Sequence, residues 1–377
     1  MLHCYRCSTA LEGDKISDEH LFLQALGGRL HSEDLLCEDC NSNWGSHPDG
    51  DLSKALQPLA VALNVRRASS RGNHPKIAGI APDGTKIKMD SSGKPELQNF
   101  TFNQKDLAGG GKQISLIARS EKEARRSLED LKQKYSGIDV EKTLAEAKRV
   151  SEKFTAPIAF PAKLTFPEIF RSLFKTALDF YVLKGGDRAI AKKLSPVVDG
   201  VGNLHDSIFW SLQLEPFPGY KGTVTHTIAL VGSSTEHLLY AQVTIFGCIR
   251  ILALLDDNYS GPDLAVGHIE NPLGVDPTPN DIRPVTFTRA QIDTIKTSWP
   301  TEASIQANFA ELSKIAQKRM NENASMERGR EALFAKLASI SEGRPPTAED
   351  INEAINAFRE AYLGENEFEE PPPTKVS

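Results

Sequence analysis

Four cysteines within the first 40 residues set the tightest constraint on how this 377-residue chain begins to fold. They read Cys4-x-x-Cys7 and Cys37-x-x-Cys40. Two knuckles at this separation suit one tetrahedral zinc held by four thiolates. A segment this short cannot build a core of its own, so the metal is expected to act as its staple. Between the knuckles lie Ser17-Asp18-Glu19-His20 and then Gly27-Gly28, and Asn41 follows the last cysteine directly.

The local pattern predicts a knuckle-strand-knuckle-helix unit over residues 1–55. The apolar stretch Leu21 to Leu26 breaks at the glycine pair, and Leu35-Leu36 leads into the second knuckle. A helix is expected from about Asp39, with Asn41 in its first turn, ending near Gly45. His47-Pro48-Asp49-Gly50 reads as a turn. Residues 56–115 read as strands and loops, with a hairpin at Asp83-Gly84 and joints at Ser91-Ser92-Gly93 and Gly109-Gly110-Gly111. The triple glycine lacks a following Lys-Ser/Thr and opens no phosphate loop. Glu121 to Phe154 is charged and helical, broken at Ser136-Gly137. Phe166 to Leu183 carries Phe170, Leu173, Phe174, Ala177 and Leu178 at helical spacing and predicts a core helix ended by Gly185-Gly186. His226 to Val231, His237 to Phe246 and Cys248 to Leu255 predict an antiparallel meander turning at Gly232-Ser233-Ser234. Gly261 to Pro284 reads as loop, and Arg289 to Leu363 as helix.

Composition excludes some classes. With 40% hydrophobic and 25% charged residues the chain is that of a globular protein. No apolar run reaches the roughly 18–20 residues of a membrane helix, and no secretion signal is seen at the N-terminus. Four of five cysteines in zinc spacing point to a reducing, cytoplasmic setting. Cys248, in an apolar run, reads as a buried small side chain. The net charge of −6 advertises no nucleic acid, but Arg66 to Arg126 holds thirteen Lys/Arg against six Asp/Glu. Such a basic middle is compatible with a surface that tracks phosphates. The tail after Gly364, with four glutamates and three prolines, reads as disordered.

The chemistry concentrates near the N-terminus. Hydrolysing a phosphodiester needs a base for water, a divalent metal for the developing charge, and ligands for that metal. His20 titrates near neutrality and can be the base. Glu19 can ligate a hard cation. Neighbours on a strand point to opposite faces, so a twist or loop is needed if both are to reach one phosphate. Asn41, beside a zinc ligand, can supply a second ligand. His31, His47, Asp49 and Asp51 are weaker candidates, read as loop and turn residues. Arg171 and Lys175 share a helix face and suit either a phosphate backbone or solvent.

Glu19-His20, Leu26-Gly27-Gly28, Leu36-Cys37-x-x-Cys40-Asn41 and Trp44-Gly45 resemble HNH endonucleases of the ββα-metal type. The resemblance implies that His20 is the general base, that Glu19 and Asn41 hold catalytic Mg²⁺ or Mn²⁺, and that Asp34 stands where an Asn usually orients the loop. It also implies hydrolysis to a 5′-phosphate and a 3′-hydroxyl, separate from structural Zn²⁺ on the four cysteines.

The expected fold class is α+β: a small zinc-stapled ββα-metal head, a mixed α/β region and a helical C-terminus. The expected segments are 1–55 (nuclease head), 56–155 (basic connector), 156–290 (α+β, DNA-binding or sensor), 291–363 (helical) and 364–377 (tail). The leading reading is a DNA endonuclease whose remainder is regulatory or partner-binding, as in bacterial anti-phage systems. It allows a homo-oligomer, and a protein partner or small-molecule activator bound in 156–290. The alternative is a zinc-dependent DNA-binding or adaptor protein that cuts nothing.

Overall fold

The computed structural model describes residues 2–65, 75–81, 84–91, 95–107, 112–148, 166–274, 282–340 and 344–363. The expected tail, the triple glycine, and Asp83, Ser92 and Gly93 lie outside them. The chain divides into two units, one of residues 1–73 and 162–319 and one of 74–161 and 320–377.

The first unit opens with the head. Its strands β1 (Glu19–His20) and β2 (His31–Ser32) pair antiparallel, with His20 opposite His31. Helix α1 (Glu38–Ser46) follows, started by Cys37 in extended conformation, with Glu38 and Asp39 in the first turn where the helix dipole favours acids. The expected turn at His47 to Gly50 is instead the start of a second helix, α2 (Pro48–Ala62). Proline suits the first helical position because its missing N–H would be unpaired there anyway.

The helix Phe166–Leu183 appears where its spacing predicts. From Ile169 to Val182 it is buried almost all round, polar side chains included. Its apolar face packs on a five-stranded antiparallel sheet, in the order Leu264–Glu270, His226–Ser233, Leu238–Ile245, Ile249–Asp256, Ile208–Trp210. The meander stands as read, with its first turn at residues 234–237, since Gly232 and Ser233 stay in the strand. Leu264–Glu270, inside the stretch read as loop, is a sheet-edge strand, and edges tolerate flanking proline and glycine. The other sheet face packs Tyr240, Leu252 and Leu254 against Phe287, Ile292 and Ile295 of the helix region Arg289–Thr297. One core cluster joins Tyr5, Phe22, Leu36 and Trp44 of the head to Phe174, Leu178, Val243 and Ile251. Cys248 is buried, as read.

The second unit holds a three-stranded antiparallel sheet (Ile77–Ile80, Lys86–Met89, Pro95–Leu97) and a hairpin (Thr101–Asp106, Lys112–Ile117). Helices Glu121–Lys134 and Val140–Ala145 break where Ser136-Gly137 predicts. Much of its basic charge is neutralised locally. Lys76 pairs with Glu96, Lys112 with Asp106, Arg119 with Glu123 and Arg125 with Glu141. Gly329, in the long helix Glu302–Ala338, meets the Phe358 ring of Ala348–Leu363, where a methyl group would lie 2.7 Å away. Among the described residues no helix is long and apolar enough to cross a membrane.

Candidate active site of the N-terminal head

The four cysteine sulfurs lie within 4.8 Å of one another. Tetrahedral zinc at about 2.3 Å places its thiolates about 3.8 Å apart, so this donor set fits the ion expected from the spacing. The thiols sense one another. Burial and the charge of Cys4 push Cys40 far up, whereas hydrogen bonding with Thr9 brings Cys7 down to about 6 against the effect of burial. A shared cation removes this conflict, because all four can then ionise. Arg6 stacks over Trp44 at 4.6 Å, and both donate to Asp199, which fixes the first knuckle against α1.

β1 divides the remaining chemistry between two faces. On the outer face His20, half-buried, stacks on His31 with ring centroids 5.3 Å apart. His31 Nδ1 lies 2.6 Å from Asp18 Oδ1. Asn41, on α1, donates its amide to Ser17 Oγ (2.7 Å) and to the Asp18 carbonyl (3.4 Å). Burial lowers the pKa of His20 from its ordinary 6.5, opposed by Asp18 and helped by His31. Its imidazole is therefore neutral at pH 7, the form a general base needs.

On the inner face Glu19 is 3% exposed and pairs with Lys175 of the buried helix. The same ammonium lies 3.0 Å from Asp49 Oδ2 and 3.2 Å from Asp179 Oδ2. Tyr5 donates to Asp179 (2.7 Å) and Ser172 to Asp49. Lys175 thus faces neither solvent nor phosphate, the two roles its helical spacing allowed. Three carboxylates around one ammonium leave excess negative charge in a dry site, so the cluster retains protons. Burial, against the pull of Lys175, pushes Glu19 up to about 8, and raises Asp179 as well. A carboxyl held above its ordinary 4.5 lends stability that is full below that value and is lost as pH rises through about 8. Glu19→Gln, which fixes the neutral form, should therefore gain on wild type in urea unfolding between about pH 5 and about pH 8.5. A gap that moves the other way would contradict the raised value.

The glycine pair docks this strand to the sheet. Gly27 has φ +94°, a left-handed conformation that favours glycine, and a methyl group on Gly28 would sit 1.8 Å from the Phe22 carbonyl oxygen. The loop after it donates Arg29 N–H and Leu30 N–H to Glu270, which also meets His268 at 3.0 Å. His226 bonds the Leu26 carbonyl and stacks between Phe22 and Phe246. None of these sheet residues was picked out from sequence, since their partners lie some 200 or more positions away.

Of the expected site residues, His20 and Asn41 thus lie at the edge of the head near Asp18, while Glu19 turns inward to Lys175. Asp34 is exposed. Its N–H donates to Ser32 Oγ and its carbonyl accepts from Arg188, so its backbone ties the loop. His47 caps α2, Asp49 joins the lysine cluster, and Asp51 is half-exposed on α2. Among the described residues the four cysteines form the one cluster of His, Cys, Asp or Glu with ligand spacing. The pair Glu19 and Asn41 does not fit a catalytic divalent ion as placed, because Glu19 is already engaged.

The head thus combines a short antiparallel pair, a helix, four converging cysteines and an outward histidine. Residues 4–57 match the family model of the HNH endonucleases, enzymes that hydrolyse phosphodiester bonds. Among curated proteins and among solved structures nothing matches this chain.

Proposed function

We propose that this chain is a metal-dependent endonuclease that hydrolyses DNA, with His20 as its general base. The observation that carries the reading is His20 itself, held neutral and half-buried on the outer face of β1 within the segment that matches HNH endonucleases. His31 fixes the ring by stacking, and Asp18 fixes His31. A water bound between the His20 imidazole and a phosphodiester would lose its proton to that ring as it attacks phosphorus. The P–O3′ bond would break and the leaving 3′-oxygen would take a proton from solvent water, giving a 5′-phosphate and a 3′-hydroxyl. A divalent ion, when bound, supplies charge stabilisation at the phosphate.

His20→Ala should lower cleavage by about 10²–10⁴-fold while leaving the fold and zinc content intact, the usual range for removing a general base. The rate of wild type should fall on the acid side as His20 takes up a proton, with that limb below pH 6.5. Plasmid cleavage across pH measures both. Activity unchanged in His20→Ala would remove the base.

One observation favours the adaptor reading: Glu19, the carboxylate next to the base, is paired with Lys175. An adaptor would bind DNA through zinc-loaded protein, cleave nothing, and bind equally after His20→Ala. The remainder of the chain is proposed to be regulatory. A cleft of about 490 Å³ lined by Gly232, Thr235, Asp263, Arg283 and Thr288 offers an activator a place to bind. The anti-phage role rests on the family resemblance, and survival of phage-challenged cells with wild type or His20→Ala tests it.

A further inference from the structure

The helix Arg188–Val198 buries one side, Ala191, Val197 and Val198, in the core it shares with the head. Its outward positions are Arg188, Ala189, Lys192, Lys193 and Pro196, which fall on one arc of a 3.6-residue repeat. The arc holds three cations and no acid, whereas a helix face that serves only solvation mixes both signs. We propose that this arc is a docking surface for the phosphate backbone of duplex DNA, and that it brings the duplex across His20. The inference deepens the nuclease reading above and rests on it for its ligand.

The charges on the arc are held in place without being cancelled. Arg188 donates to the His3 and Asp34 carbonyls, and Lys192 donates to Ser8 Oγ. These acceptors are neutral, so they fix the two side chains and leave their charge unspent. Lys193 is exposed, and among the described residues none of the three is joined to a carboxylate. The acids at either end of the helix are occupied. Asp187 caps it by accepting the Ala189 N–H, and Asp199 accepts from Arg6 and Trp44.

The arc also lies close to the base. Asp34, where Arg188 is anchored, comes three residues after His31, and His31 sits opposite His20 in the strand pair. Three extended residues span at most about 11 Å, well under the roughly 34–36 Å of one turn of B-DNA. A single duplex can therefore meet the arc and His20 together.

The head needs such help. Between Leu2 and Val65 it carries ten Asp/Glu against four Lys/Arg, and only Glu19 and Asp49 of those acids are buried. Duplex DNA bears one negative charge per about 1.7 Å, so a head of this sign repels its substrate. The cations of the second unit pair largely with its own carboxylates. The arc supplies positive charge that is both uncompensated and fixed against the head.

The test is binding of a short fluorescein-labelled duplex to the full, zinc-loaded chain without added Mg²⁺ or Mn²⁺, read by anisotropy over a range of NaCl concentrations. Losing one phosphate contact lowers the slope of log affinity against log salt by about 0.9, and weakens binding about eightfold at 0.1 M salt. Lys192→Gln with Lys193→Gln, both exposed, should therefore lower the slope by about 1.8 and weaken binding by about 60-fold. Lys76→Gln with Lys112→Gln removes the same charge from the second unit and should leave the slope unchanged. An unchanged slope in the first pair, or an equal loss in the second, overturns the surface. Displacement by poly-glutamate as effective as by unlabelled duplex also overturns it, in favour of an acidic polypeptide. Cleavage by the same proteins separates the two readings. A wild type that cuts DNA while its binding ignores Lys192 and Lys193 keeps the nuclease and loses the surface. One that binds through the arc and cuts nothing keeps the surface and loses the nuclease.

Discussion

Stripping the zinc, or replacing Cys37 by Ser, should unfold the head and carry part of the first unit with it. Apparent zinc contributions in small modules reach roughly 10–16 kcal/mol at pH 7, against a typical domain stability of about 5–15 kcal/mol. Its own hydrogen-bonded structure is slight, since strands β1 and β2 are two residues each. The damage should not stop at the head, because Tyr5 and Trp44 belong to the same core cluster as Phe174 and Leu178. Hydrogen exchange should show lost protection at the Cys4 and Tyr5 amides, which bond to Thr9 and Leu35, and then along α1. Tryptophan fluorescence should report exposure of Trp44, now buried. Unchanged protection in metal-free protein would show that the apolar core alone holds this segment.

The second large effect is expected from Lys175→Met. The side chain is similar in volume and apolar, so the loss is of charge rather than of packing. It leaves Glu19, Asp49 and Asp179 facing one another with no cation in a site of 0–8% side-chain exposure. Removing one partner of a buried ionic group typically costs about 3–5 kcal/mol, a large share of the stability of a domain. Denaturant unfolding should show this loss, and it should be deeper at alkaline pH, where the carboxyls can no longer share protons. Adding Glu19→Gln to Lys175→Met should recover part of it, since one of the three carboxylates is then neutral. Additive effects of the two substitutions would mean that the residues do not sense each other.

The zinc knuckles were legible because metal chemistry fixes both residue type and spacing, and the four sulfurs meet as Cys4, Cys7, Cys37 and Cys40 imply. The helix Phe166–Leu183 and the strands from His226 to Asp256 were legible because a buried face leaves a period in the sequence. Pro48 was misread because proline stops a helix in its interior yet starts one at its first position, and sequence alone did not say which applied. The strand Leu264–Glu270 lay hidden among glycines and prolines that an edge position tolerates. The Glu19–Lys175 pair was not legible: 156 residues separate its members, and Lys175 sits on its helix where a solvent-facing lysine would look the same. That one contact changes what the Glu-His dipeptide offers. Strand alternation warned that both side chains could not reach one phosphate without a twist, and β1 has Glu19 and His20 on opposite faces.

The most direct measurement is cleavage of supercoiled plasmid by full-length, zinc-loaded protein with Mn²⁺ or Mg²⁺, beside the same reaction in EDTA and with His20→Ala. Nicked or linear DNA that requires the divalent ion and disappears with His20→Ala is the expected result. Cutting that survives His20→Ala, or intact plasmid from folded wild type with every divalent ion supplied, would contradict the assignment of this head as a nuclease acting through His20.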